Sequence, residues 1–481
     1  MTSRALLLAL FLAATGCDPP AERAVSVSAV GRTAAIANPN LVILDPPSAF
    51  LLEATAFGLV RFDGSGEIEP ALAQRWIVSD DGLRYTFRLA RADWPGGGPI
   101  RAEQVAARLR ASFGASSRNP LKPLLGAIDE IEAMTDDVLE ISLKSSRPNF
   151  LQLLAQPEMA IMRSGRGLGA FTAERQAGGA ILLTEIKPAD AEGVVAPPPA
   201  TVMLRGEGAA LGVARFQTEG ADLVTGGAIG DLAYARAVRL QPGLLAFDPV
   251  QGLFGLVVRS RDGSLGEKAV RAALAMAIDR DGLAAAFAPA PLRPRVSLLP
   301  AGIAEHPAPA LPDWASLPNS ERVRRAAAAI AAASPGERLT LKVALPDRPG
   351  FKLVLARLKR DWARIGVDAR RVWSTGEADL ALVDQVAPAG LASWYLRTFE
   401  CGRGPLCDTA ADEAMAAART APDAEARRTQ LAIADRALTD AALFIPLGEP
   451  VRWSLVSPRL TGFRPNRFAR HPAGELLAAR P

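Results

Sequence analysis

Histidine is nearly absent from this 481-residue chain, cysteine is scarce, and no long apolar run occurs beyond the first residues. The two histidines, His306 and His471, each precede a proline and offer no convincing general base. With only three cysteines besides, a metal site built from histidine and cysteine is not expected. The Gly64-Ser65-Gly66 stretch lacks the strand-to-helix elbow of a hydrolase nucleophile. The glycines at 96–98 and 165–169 do not match phosphate-cradling patterns. The formal charge is +4, yet no compact Lys/Arg block is interleaved with aromatics, so a nucleic-acid footprint is missing. No repeat of solenoid length is visible. These absences argue against an enzyme and lead us to expect no catalytic residue, metal or cofactor.

What is present is globular: 49% hydrophobic and 22% charged residues. A chain of this length exceeds one ordinary core, so two or three lobes are expected. Arg4 precedes an apolar run at 5–14, too short to cross a bilayer but fitting a signal-peptide core. Thr15 and Gly16 lead into Cys17, an ending that resembles a bacterial lipobox. That resemblance implies cleavage before Cys17 and its acylation, with firm anchoring by several acyl chains. Residues 1–16 are thus read as a lipoprotein signal and 17–24 as a tether. Cys401 and Cys407 remain, closing a short Gly- and Pro-containing loop. In an oxidising compartment they are expected as a disulfide, two free thiols being the alternative.

Periodicity gives an alternation of strands and helices. Leu83 to Leu89 alternates with period two after an Asp-Asp-Gly turn and reads as a strand. Further strands are expected at 137–143, 181–184, 253–258, 339–345, 367–373 and 378–383. Helices are expected at 101–112, 267–283, 321–332 and 351–365, and at 410–439 with a break near Pro422. The span 28–44 reads as a strand and a loop. This pattern implies an α/β fold with covered sheets.

Several stretches, in order, resemble one family. They are Gly58-Leu59-Val60-Arg61-Phe62 with Pro70 to Ala73 and Trp76, then Ser79 to Leu83 with Tyr85-Thr86-Phe87. Trp94, Gly98 and Ala102 to Val105 follow, then Val270-Arg271 with Ala277-Ile278-Asp279-Arg280. Leu358 to Val367 and Ile445-Pro446-Leu447 complete the series. Together they resemble the family-5 extracellular solute-binding proteins of ABC importers, which serve peptides and nickel. Most of these residues also answer simple folding needs, so they identify a scaffold and not a site.

The resemblance implies a two-lobe periplasmic binding protein fold (type II, cluster C-like) with an extra inserted domain. Lobe one is placed at 25–50, 160–250 and 452–481, the inserted domain at 51–159 and lobe two at 251–451. It implies a periplasmic, membrane-anchored monomer working with ABC transporter permease subunits. The ligand would be a small peptide or peptide-like solute captured by closure. A nickel chelate or another solute, or a lipoprotein that has lost transport binding, are the alternatives.

Peptide binders of this family carry an acid before a Tyr-x-Asp-Pro-like segment that holds the ligand's amino terminus. Aligning on Pro388 places Asp384 on that acid, while Ala381, Gln385 and Ala387 depart from the pattern. Asp384 therefore reads either as an amine anchor or as a strand-end acid in solvent. Trp394, Tyr395 and Phe254 read as cleft walls or as core, and Arg397 as a partner for a ligand acid or as a surface cation.

Overall fold

A computed structural model describes residues 23–187, 199–260, 263–306 and 308–476. Cys17 and the leader before it lie outside the described residues.

Three larger sheets organise the chain. A seven-stranded sheet has the spatial order Phe171–Arg175, Ile181–Glu185, Thr201–Glu207, Val25–Val30, Leu223–Ala228, Arg452–Val456 and Leu245–Asp248. A five-stranded sheet runs Val367–Val372, Leu339–Ala344, Leu380–Val386, Gly252–Val258 and Phe444–Gly448. A four-stranded antiparallel sheet of Ala73–Val78, Arg84–Leu89, Val138–Leu143 and Ile128–Ala133 stands apart with its own core. The two-lobe α/β architecture expected from the sequence is the one observed.

Two adjacent crossings join the larger sheets. Leu245–Asp248 in the first sheet continues through 249–251 into Gly252–Val258 in the second. Phe444–Gly448 returns through 449–451 into Arg452–Val456. The two passages pair antiparallel on both sides, making one ribbon that enters both lobes. Such a ribbon leaves relative rotation of the lobes as the soft motion.

Local sequence explains most elements. In Arg84–Leu89 the alternate residues Tyr85, Phe87 and Leu89 are buried. Helix Pro349–Ala363 buries Phe351, Val354, Leu358 and Trp362, and the Trp362 indole donates to the Leu274 carbonyl at 3.0 Å. Proline at 422 separates Thr409–Arg419 from Ala424–Ala441, and Asp423 caps the second helix through the amides of Glu425 and Ala426.

Two expectations change. The helix read at 267–283 is two helices, Lys268–Ala277 and Arg280–Ala286. Ile278 between them is extended, and Asp279 restarts the chain by accepting from the Gly282 amide at 2.9 Å. Apolar spacing alone does not register a break whose flanks bury the same face. Residues 46–55, given no element from the sequence, form helix Pro46–Thr55, started by the Asp45 cap and prolines in its first turn.

Cys401 and Cys407 are joined as a disulfide in an exposed loop. With six residues of separation, the loop-closure model assigns the bond about 2 kcal/mol. Reduction is expected to lower the unfolding free energy by no more than that and to leave ligand-induced stabilisation unchanged. Comparing unfolding curves with and without a phosphine reductant checks both.

Candidate functional site

The carboxyl ends of parallel strands from both lobes face a common cleft. In the first sheet Val25–Val30 runs parallel to Thr201–Glu207 and Leu223–Ala228. In the second, Leu339–Ala344 runs parallel to Val367–Val372 and Leu380–Val386. The segments leaving these strands line a cleft of about 740 Å³. This is the crevice where open α/β sheets bind ligands, because helix starts and free loop amides collect there. The volume falls within the range of small-molecule sites.

Paired charges from both lobes line it. Arg452, at the start of Arg452–Val456, donates through Nη1 to Asp384 Oδ1 at 2.7 Å and through Nη2 to the Asp384 carbonyl at 3.1 Å. Arg348, just before helix Pro349–Ala363, donates to Asp231 of the opposite lobe. Asp45 accepts from the Arg32 amide at 3.1 Å and caps the Ser48 amide at 3.3 Å. Burial tends to raise the Asp45 pKa, but the Ser48 and Arg32 hydrogen bonds bring it below the ordinary value.

Near the Asp231–Arg348 pair the lobes touch directly. The Gly350 amide donates to the Gly230 carbonyl at 2.9 Å. Phe351 packs in a core cluster that includes Ile229 and Leu232 of the first lobe. The chain is therefore in a closed arrangement.

Burial raises the Asp231 carboxyl above its ordinary 3.8, an effect that Arg348 offsets only in part. A carboxyl raised in the folded state binds more protons folded than unfolded across that window. Stability therefore falls as pH rises from 3.8 through the folded value. Asp231→Asn is expected to melt above the wild type at pH 7, with the difference shrinking as pH falls toward 3.8. Thermal unfolding at several pH values measures it.

Of the residues singled out from the sequence, Asp384 lines the cleft. Phe254 lies directly across the strands from it but is fully buried, in the shared core of the lobes. Tyr395 is also buried, which pushes its phenol pKa well up, and Trp394 packs edge-on against it with ring centroids 4.8 Å apart. Trp394 joins the core of the four-stranded domain to that of lobe two. Arg397 donates to the Pro123 carbonyl and pairs with Glu400 at 3.5 Å. These four side chains pack or staple the domains and do not line the cleft. Three of them are aromatic, and aromatic side chains serve packing first.

The four-stranded domain also fixes the segment after Asp384. The side-chain amides of Asn149 and Gln156 donate to the Gly390 and Pro388 carbonyls at 2.8 and 2.6 Å. Gln152 accepts from the Gly390 amide at 3.1 Å.

Arg32, Asp45, Asp231, Arg348 and Arg452 were not found from the sequence. They sit on separate segments that only the topology brings together. The available signal was position, since each lies just beyond a strand end or at a helix start or lobe crossing. Both histidines are occupied elsewhere. His306 Nε2 lies 2.8 Å from Asp435, and His471 Nε2 lies 3.4 Å from Asp248.

Residues 67–188 match the model for the middle part of the bacterial extracellular solute-binding proteins, family 5. The nickel-binding periplasmic protein of Escherichia coli is 34% identical over 122 residues, 25% of this chain and 23% of that protein. The matched stretch spans about a quarter of the length of this relative and of similar ones. The fold agrees over almost the whole chain. Haemophilus influenzae OppA in complex with the peptide RPPGFSPFR superposes with a TM-score of 0.79, at 17% identity, over 94% of this chain and 98% of that one. Escherichia coli MppA, a murein tripeptide binding protein, superposes at 0.78, with 18% identity, over 93% of this chain and 97% of that one. Its unliganded open form gives 0.65, at 18% identity, over 95% of this chain and 96% of that one, consistent with the lobe contacts seen here. Residues 67–188 are thus similar to the middle part of the bacterial extracellular solute-binding proteins of family 5, and the fold of almost the whole chain is that of OppA and MppA.

Proposed function

We propose that this protein captures a peptide or peptide-like solute in the interlobe cleft and hands it, by closure, to the permease subunits of an ABC importer. The observation that carries this is the cleft itself. It lies outside the carboxyl ends of strands from two lobes, is lined by charged side chains of both, and is spanned by contacts that exist only when the lobes meet. A volume of about 740 Å³ suits a solute of a few amino-acid residues.

In this reading the two-strand ribbon is the hinge. The seven-stranded sheet heads lobe one, the five-stranded sheet heads lobe two, and 51–159 is the inserted domain. The protein acts as a periplasmic monomer held to the membrane by acylated Cys17. Among the described residues no helix is long and apolar enough to cross a membrane.

Thermal unfolding of the purified protein against pools of short peptides, opines and metal chelates tests the proposal. A ligand at about 100 times its Kd should stabilise the closed fold by roughly 2.7 kcal/mol. A shift with peptide pools supports the proposal. A shift confined to metal chelates replaces it with a metal-chelate carrier, a ligand class suggested by the nickel-binding relative. No shift with any pool overturns it.

A further inference from the structure

The cleft does not offer its two signs of charge equally. Asp45, Asp231 and Asp384 have side chains 17%, 5% and 10% exposed, each against an arginine. Their partners Arg32, Arg348 and Arg452 are 85%, 42% and 15% exposed. In each of these three pairs the guanidinium is the more accessible member. The remaining carboxylate on the lining, Asp347, is 54% exposed and more open than Arg371 at 18%, but it is paired with Lys352 at 3.2 Å and Arg371 at 3.1 Å.

Backbone charge adds to this. Helices Pro46–Thr55, Ala209–Gln217 and Pro349–Ala363 all begin on the cleft wall. Their amino-terminal ends carry partial positive charge. The second and third have no side-chain hydrogen bond capping their first amides.

Asp384, the carboxylate that the resemblance aligns with an amine anchor, is already occupied by Arg452, which makes a second bond to its carbonyl. An incoming ammonium would have to displace a guanidinium that loses contacts to the Asp384 and Val451 carbonyls as well. An incoming carboxylate meets guanidinium forks with donors to spare, in the geometry that suits bidentate pairing.

Resting on the solute-binding reading, we infer that the cleft selects anionic solutes. Arg348 and Arg452 receive a carboxylate or similar oxyanion, and Arg452 shields Asp384 from ligand amines.

The test uses random tripeptide pools differing only at their ends, N-acetylated with a free carboxylate or amidated with a free amine. Citrate and spermidine serve as non-peptide probes of the same two charges. The wild type is expected to bind the acetylated pool at least about tenfold more tightly than the amidated pool. Arg452→Gln uncovers Asp384 and should reverse that preference, while Arg452→Lys, which keeps the charge, should retain it. Circular dichroism confirms that both variants fold. If Arg452→Gln does not fold, the wild-type preference and its retention in Arg452→Lys decide the matter. Equal or tighter binding of the amidated pool or spermidine by the wild type overturns the inference and leaves the solute-binding reading intact. Binding of citrate but of neither pool supports anion selection and removes the peptide. Binding of no probe overturns both.

Discussion

Gly350→Ala is expected to hold the lobes apart while leaving each lobe folded. A Cβ built at Gly350 would lie 2.1 Å from the Ile229 carbonyl oxygen and 3.0 Å from Gly230 Cα, all backbone of the opposite lobe. Rotamer change cannot relieve a backbone clash, so the lobes must separate. Within lobe two the change is harmless. Gly350 sits in the first turn of helix Pro349–Ala363, where alanine is the better helix former by up to about 1 kcal/mol. What is lost is closure: the Gly350–Gly230 hydrogen bond and the burial of Phe351 against Ile229. A phenylalanine burial contributes about 1.5–3 kcal/mol and a net hydrogen bond about 0.5–1.5 kcal/mol. Losing most of both amounts to about 2–4 kcal/mol, or an affinity loss of roughly 30- to 1,000-fold. Small-angle scattering should show a larger radius of gyration, with the secondary structure of each lobe retained by circular dichroism. An unchanged radius and affinity would show that this contact does not hold the closed state.

That prediction rests on a contact no local pattern encodes, and the contrast with the rest of the chain is instructive. Elements whose own residues fix them were legible. The period-two strand Arg84–Leu89 and the stripe on Pro349–Ala363 follow from spacing and turn chemistry alone. Helix Pro46–Thr55 was not, because its low amphipathy leaves only the Asp45 cap and two prolines as signals, and these also suit a loop. Of the cleft, Asp384 was placed because a neighbouring proline gave it a register. Its partner Arg452 lies 68 residues on, beyond the return crossing. An isolated arginine in a chain so rich in arginine carries no local mark. Phe254 and Tyr395 read from the sequence as cleft walls or as core; both are buried, which is where such side chains contribute most.

Arg280 gives the opposite lesson, since the sequence marked it and its role is structural. Replacing it by methionine is expected to cost about 3–5 kcal/mol, the scale of breaking a buried charged network. Its guanidinium is buried and donates to the carbonyls of Arg295 at 3.1 Å, Pro446 at 2.8 Å and Ala275 at 3.0 Å. It also lies 5.6 Å from the centre of the Trp314 ring. These acceptors belong to three segments: the end of helix Lys268–Ala277, the proline-rich stretch at 289–312, and strand Phe444–Gly448. The extended Ile278 turns the chain so that this one side chain reaches them all. Burial pulls the guanidinium pKa down to about 9, and the carbonyl dipoles offset that cost at neutral pH. Methionine matches the length but leaves the carbonyls without donors, each unpaired group costing about 1–3 kcal/mol. Lysine keeps the charge but not the planar fork, so Arg280→Lys should recover less than half of the loss. Urea unfolding of the two variants measures this, and a loss below about 1 kcal/mol for Arg280→Met would remove the staple argument. Strand Phe444–Gly448 runs straight into the return crossing at 449–451. Folded Arg280→Met protein should therefore also bind solute more weakly, although the residue lies outside the cleft lining.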